Sequence, residues 1–379
     1  MRIAVIAPLV EAVPPERYGG TERVVSVLTE ELVRRGHQVT LFASSDSRTS
    51  AELISSGPRS LRVNGDDLLP AAWTLLQLSD VFASASEFDI IHNHVDWPAF
   101  PFARLAATPT VSTMHGRLDL PSIRNTFGRF PEQPLVSISR AQSEYLPGAN
   151  WLATVHNGIA LDHFHFQREP GDYLVFLGRI SPEKRPDRAI EIAGRAGMRL
   201  VIAAKVDPVD RDYYECEIAP LVHRSPWVEF IGEVDEAEKD ELLGHAYAYL
   251  FPIDWPEPFG LTMVEAMATG TPVIAARAGS VPEVVHDGVT GFICDDTVEM
   301  ARAVEDVSRL NRASCRLRVE QCFSAQAMTD GYEAVYRRLA GRDRRASGQL
   351  FAGTRVNGAA SPAVAEAGHP AAILMDDQQ

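Results

Sequence analysis

Apolar runs of four to six residues alternate with amphipathic stretches along most of the chain, to about position 340. The run at 2–7 (RIAVIA) reads as a β-strand. Gly19, Gly20 and Thr21 then open a helical stretch in which Val24, Val27, Leu28 and Leu32 recur at helical spacing until Gly36. Further β-like runs fall at 38–43, 89–92, 110–114, 135–138 and 152–155. A second series follows a polar, Pro/Gly-bearing stretch at 157–172, with runs at 173–177, 199–203, 227–231, 248–252 and 272–275. Between these runs, helical spacing covers 186–196, 211–223, 236–246 and 260–269.

Strands alternating with helices predict parallel sheets covered on both faces. The expected fold class is α/β, with two Rossmann-like, doubly wound domains facing a central cleft. The first spans 1–157 and the second 158–323, followed by a helix at 324–340 and a tail at 341–379 expected to be flexible. Met328, Tyr332, Val335, Tyr336 and Leu339 share one face of that helix. Ligands of such sheets sit at the carboxyl ends of the strands, which puts a binding site in the cleft. Gly158 and Gly171 bracket a natural hinge between the domains.

Composition narrows the class. Hydrophobic residues make up 45% of the 379 and charged residues 23%, enough apolar surface for sizeable cores. The net charge is −15, of which residues 1–160 carry −3 and the remainder −12, so a broad cationic face for nucleic acid or anionic lipid is not expected. No apolar run approaches the ~20 residues of a membrane helix, and a cytoplasmic location is the expectation. The four cysteines show no C-x-x-C spacing, and none of the three lysines follows a glycine, which excludes a Walker A loop. His-Glu pairs, G-x-G-x-x-G and G-x-S-x-G are likewise missing from the sequence.

Three clusters carry candidate chemistry. In LGRISPEKRPD (177–187), Arg179 and Lys184 leave the loop after a strand, where two cations can hold a diphosphate. In WPEPFGLTMVEAMATGTPVIA (255–275), a helix beginning near Gly260 turns the backbone N–H groups of Phe259, Gly260 and Leu261 toward an anion. Glu257 precedes that helix and Glu265 lies eight positions on, among Leu261, Met263, Val264 and Met267. A carboxylate so placed needs hydrogen-bond donors, and the hydroxyls of a ribose would serve. The third cluster combines Gly19-Gly20, His115 at the end of the 110–114 run, and Ser137-Ile138-Ser139.

Together these resemble the family 4 retaining glycosyltransferases of the GT-B fold, over nearly the whole chain to about residue 340. The specific part is Glu257-x7-Glu265, followed by GTPV at 270–273 and GSVPEVVHDGVTGF at 279–292, with GRISPEKRPD and HNGI at 156–159. The resemblance implies a hexosyltransferase acting on a nucleoside-diphosphate sugar and a hydroxyl acceptor, with no further cofactor and no metal. It implies catalytic roles for His115, Arg179, Lys184 and Glu257. The implied donor-binding set is Gly19, Gly20, Arg179, Lys184, Val234, Glu257, Phe259, Gly260, Leu261 and Glu265. Arg179 and Lys184 would hold the diphosphate, Glu265 the ribose, and Glu257 the transferred sugar. The acceptor would meet first-domain loops near 44–70, 96–104 and 117–130, where Trp97, Phe100 and Phe102 could form a wall, although core packing is the expected role of each. Two departures stand out: HNGI continues with Ala160, and residues 71–87 lack the basic face of membrane-docking relatives.

Two metal-like strings are set aside. Asp210-x-Asp212 follows Pro208 at a helix start, where aspartates favour the helix dipole, and His92-x-His94 ends a strand facing the cleft. The stretch 63–78 reads as a core-facing amphipathic helix. Two other functions remain open, a nucleoside-diphosphate-sugar 2-epimerase of the same architecture and a non-catalytic sugar-nucleotide binder.

Overall fold

The computed structural model describes residues 1–349 except Tyr18, Ser56, Pro58 and 65–69; the side chains of 63–64 and 342–349 also lie outside it. Thirteen strands among the described residues form two wholly parallel sheets. The first contains β1 (Arg2–Ile6), β2 (Gln38–Phe42), β3 (Glu52–Ile54), β4 (Ile90–Asn93), β5 (Thr110–Met114), β6 (Leu135–Ser137) and β7 (Trp151–Thr154). Their order is β3-β2-β1-β4-β5-β6-β7. The second contains β8 (Tyr173–Arg179), β9 (Arg199–Lys205), β10 (Val228–Gly232), β11 (Ala248–Phe251), β12 (Val273–Ala276) and β13 (Gly291–Cys294), ordered β10-β9-β8-β11-β12-β13. Each order reverses direction once, between β1 and β4 and between β8 and β11. Those are the switch points at which α/β sheets open a crevice.

Strands buried on both faces explain the continuous apolar runs. On one face of the first sheet, Val24, Leu28 and Leu32 of the helix Gly20–Arg34 pack with Ile3, Val5 and Leu41. The same cluster takes in Met328, Tyr332, Val335, Tyr336 and Leu339, so the last helix returns to the first sheet. Arg35 secures it there, 2.6 Å from Asp330 and 3.1 Å from Glu333. This helix runs Ala325–Gln349, past the expected end at 340, and the expected tail beyond 349 lies outside the described residues.

The chain therefore crosses between the sheets twice, and the two crossings touch. Ile159 N–H donates to Phe323 O at 2.9 Å, and Ala325 N–H returns to Ile159 O at 3.0 Å. Gly158 packs flat here, where a Cβ would stand 2.4 Å from Ser324 O. The two strands that the sequence reading misses are β3, three residues at a sheet edge, and β13, which follows the turn at 286–290.

Candidate active site

Two adjoining cavities lie between the sheets, one of about 620 Å³ and one of about 220 Å³. They share Gly19, Gly20, Lys205, Glu257, Gly260 and Leu261. Arg179, Lys184, Val234 and Glu265 line the smaller, and His115 and Phe259 the larger. Every residue of the implied catalytic and donor-binding sets thus reaches one cleft, carried there by segments that follow the carboxyl ends of strands.

Arg179 ends β8 and sits among three carboxylates: Glu183 at 2.6 Å, Asp210 at 3.2 Å and Asp207 at 3.9 Å. The expected capping role of Asp210 is not what the fold uses. Its side chain caps no helix and faces Arg179 instead. Lys184 forms an ion pair with Glu257, and its ammonium lies 4.8 Å from the Trp255 ring centre.

The Glu257 turn is shaped by two glycines. Gly260 precedes the helix Leu261–Ala268 at φ 75°, and a Cβ there would strike Met263 Cε at 2.5 Å. Gly279 (φ 50°) lies under Glu257, where a Cβ would come within 2.5 Å of the Glu257 backbone N. Ser280 N–H holds Glu257 O at 3.0 Å. The GSVPE motif therefore holds the Glu257 backbone from behind.

Glu265 is buried, as expected, but its donor is a protein group. Lys239, from the helix Glu236–Gly244, places Nζ 2.5 Å from Glu265 Oε1. Lys239 carried no motif signal and was missed. Lys205 could have been found, because it ends β9 in register with Arg179 at the end of β8. Arg17 and Arg23 complete the basic wall, and Arg23 also pairs across the cleft with Glu236.

His92 and His94 do not line the cleft. They are 0% and 1% exposed. His92 bridges Tyr336 Oη (2.7 Å) and Thr113 Oγ1 (2.8 Å), while His94 Nδ1 meets His115 Nε2 at 2.8 Å. Burial brings His92 down to about 3 and His115 to about 4, so this chain of imidazoles is neutral near pH 7. One nitrogen of the His94–His115 contact must donate and the other accept, which fixes the ring facing the cavity. Phe100 is core, packed on Phe127, and Phe102 stacks on Phe82. Neither Trp97, Phe100 nor Phe102 lines the cavities, whereas Leu61, Arg62 and Pro70 of the expected acceptor loops do.

Among the described residues, no three His, Cys, Asp or Glu side chains are grouped to hold a metal ion, and no helix is long and apolar enough to cross a membrane. The site is a cleft with a basic half, buried carboxylates at Glu22, Glu257 and Glu265, and a helix N-terminus.

Comparison with known proteins gives this arrangement a family. The model for glycosyltransferase family 4 matches residues 18–163 and that for glycosyl transferases group 1 matches 161–319. A D-inositol 3-phosphate glycosyltransferase of Mycobacterium marinum is 25% identical over 89% of this chain and 83% of its own. In fold, the chain is similar to sucrose-phosphate synthase of Thermosynechococcus elongatus (TM-score 0.74, 19% identity, 90% of this chain and 100% of that one). It is also similar to Anabaena HepE in complex with UDP and glucose (TM-score 0.69, 18% identity, 89% and 100%). With two models covering residues 18–319 between them and a matching two-sheet architecture, the chain belongs to the family 4, group 1 glycosyltransferases of the GT-B fold.

Proposed function

We propose that the chain moves a hexose from a nucleoside-diphosphate sugar to a hydroxyl acceptor, with retention of anomeric configuration and without a metal ion. The observation carrying this reading is the meeting of two unlike cavities at the Glu257–Leu261 turn. The smaller is walled by Arg17, Arg23, Arg179, Lys184, Lys205 and Lys239 against three carboxylates, an environment that favours a diphosphate. The UDP held by the Anabaena neighbour supports a nucleoside diphosphate as the bound species.

Lys184 is paired with Glu257. A donor divides that pair: Lys184 turns to the diphosphate, and Glu257 accepts from hydroxyls of the transferred sugar. As the glycosidic bond breaks, charge builds on the departing phosphate. Arg179, Lys184 once turned, and the N-terminus of the helix Leu261–Ala268 stabilise it. These cations take the part that a divalent ion plays elsewhere. The acceptor enters the larger cavity past His115 and attacks from the face the diphosphate leaves, which retains the configuration.

The test is transfer from UDP-, GDP- and ADP-hexoses in excess EDTA, with the anomeric coupling of product and donor read by NMR. The same configuration in both, with EDTA tolerated, is expected. Inversion, or activity restored only by magnesium or manganese, contradicts the reading. Epimer accumulating without acceptor points to an isomerase, and nucleotide binding without transfer to a sensor.

A further inference from the structure

The larger cavity differs from the smaller in charge. Among the described residues its wall carries Glu11, Glu22, Asp207 and Glu257, with Arg62 and Lys205 as its Arg and Lys residues. Both cations are already committed. Arg62 pairs with Glu11 and lies 3.5 Å from Asp207, and Lys205 pairs with the same Asp207. His115 adds no charge, since burial keeps it neutral near pH 7. A phosphate entering this space would lose hydration among an excess of carboxylates, with each nearby cation shared.

Two buried polar groups at the same wall favour hydroxyls. Asn157 is 5% exposed, and its Oδ1 accepts from no group among the described residues. An amide oxygen so placed needs a donor. Glu22, also 5% exposed, stands in the first turn of the helix Gly20–Arg34. Burial raises its carboxyl to about 7, so near neutral pH it both accepts and donates. A hydroxyl matches each role.

Resting on the glycosyltransferase reading, we propose that the acceptor is an uncharged polyol. Glu22 and Asn157 contact its hydroxyls, and the Glu11–Arg62–Asp207 chain discriminates against phosphorylated acceptors. The selectivity comes from repulsion as much as from attraction.

The test is an NMR titration with glucose and glucose 6-phosphate. The protein is first saturated with UDP, GDP or ADP, whichever binds, so that the donor phosphate subsite is filled. The wild type should take glucose 6-phosphate no better than glucose. Glu11→Gln/Asp207→Asn, which releases Arg62 and Lys205, should bind glucose 6-phosphate about tenfold more tightly than wild type. Glu11→Gln alone should show a smaller gain, and decides the matter if the double variant does not fold. A wild-type preference for glucose 6-phosphate, or no gain in either variant, overturns the proposal. Failure of all three nucleotides to bind would instead overturn the donor reading, and is seen before any sugar is added.

Discussion

Lys239 Nζ stands 2.5 Å from Glu265 Oε1, and both side chains are almost closed to water. The pair joins the helix Glu236–Gly244 to the helix Leu261–Ala268 at the wall of the smaller cavity. Neither charge is tolerable there alone. Removing one partner of a buried pair leaves an uncompensated charge at a cost of about 3–5 kcal/mol, whereas replacing both can be nearly neutral.

Lys239→Met should therefore lower unfolding free energy by roughly 3 kcal/mol, and Lys239→Met/Glu265→Leu should recover most of it. Chemical denaturation of the four proteins of the cycle measures both quantities. An additive double variant would mean that the two groups do not sense each other.

This pair also marks how far the sequence could be read. Glu265 was legible as a buried carboxylate because apolar residues surround it in sequence, but Lys239 lies in a charged helix (EAEKDELLG) and only the fold turns it inward. Asp210 looked like a helix cap for the same reason, since its partner Arg179 is remote in sequence but near in space. Strands buried on both faces were plain as apolar runs. The edge strand β3, with two of its three residues exposed, has too few positions to show a period. His92 shows the converse. Its strand-end position suggested the cleft, but the returning helix Ala325–Gln349 covers it with Tyr332 and Tyr336. Gly158, read as a hinge, owes its small size to the backbone of Ser324 pressed against it.

The two glutamates of the cleft should separate in kinetics. Glu257→Ala is expected to lower kcat by about 100-fold, the loss that follows from its proposed role in orienting the reacting sugar. Lys239→Met/Glu265→Leu, which leaves no unpaired buried charge, should act mainly on KM for the donor, since a nucleoside is held alike in ground and transition states. Steady-state rates at varied donor concentration give the split. Equal, small effects would mean that the donor lies elsewhere.

The buried histidines give stability a pH dependence with a definite sign. His92 binds its proton at about 3 in the folded protein and near 6.5 unfolded, so the unfolded state takes up the extra proton between these values. Its contribution is full above pH 6.5 and is lost as pH falls toward 3. Against His92→Gln, which cannot titrate, the wild-type stability difference should narrow by ~1.4 kcal/mol per pH unit below 6.5. A difference that stays flat from pH 7.5 to 5 would show that His92 is accessible to protons in the folded state.

Under the proposed function, the basic half of the cleft binds a nucleoside diphosphate through its phosphates. Isothermal titration of UDP, GDP and ADP, and of the matching nucleosides, into wild type and Lys184→Ala tests it most directly. One diphosphate should bind the wild type well and its nucleoside poorly, and Lys184→Ala should weaken the diphosphate about tenfold or more while leaving the nucleoside unchanged. Binding of no diphosphate, or a diphosphate affinity indifferent to Lys184, would contradict the account.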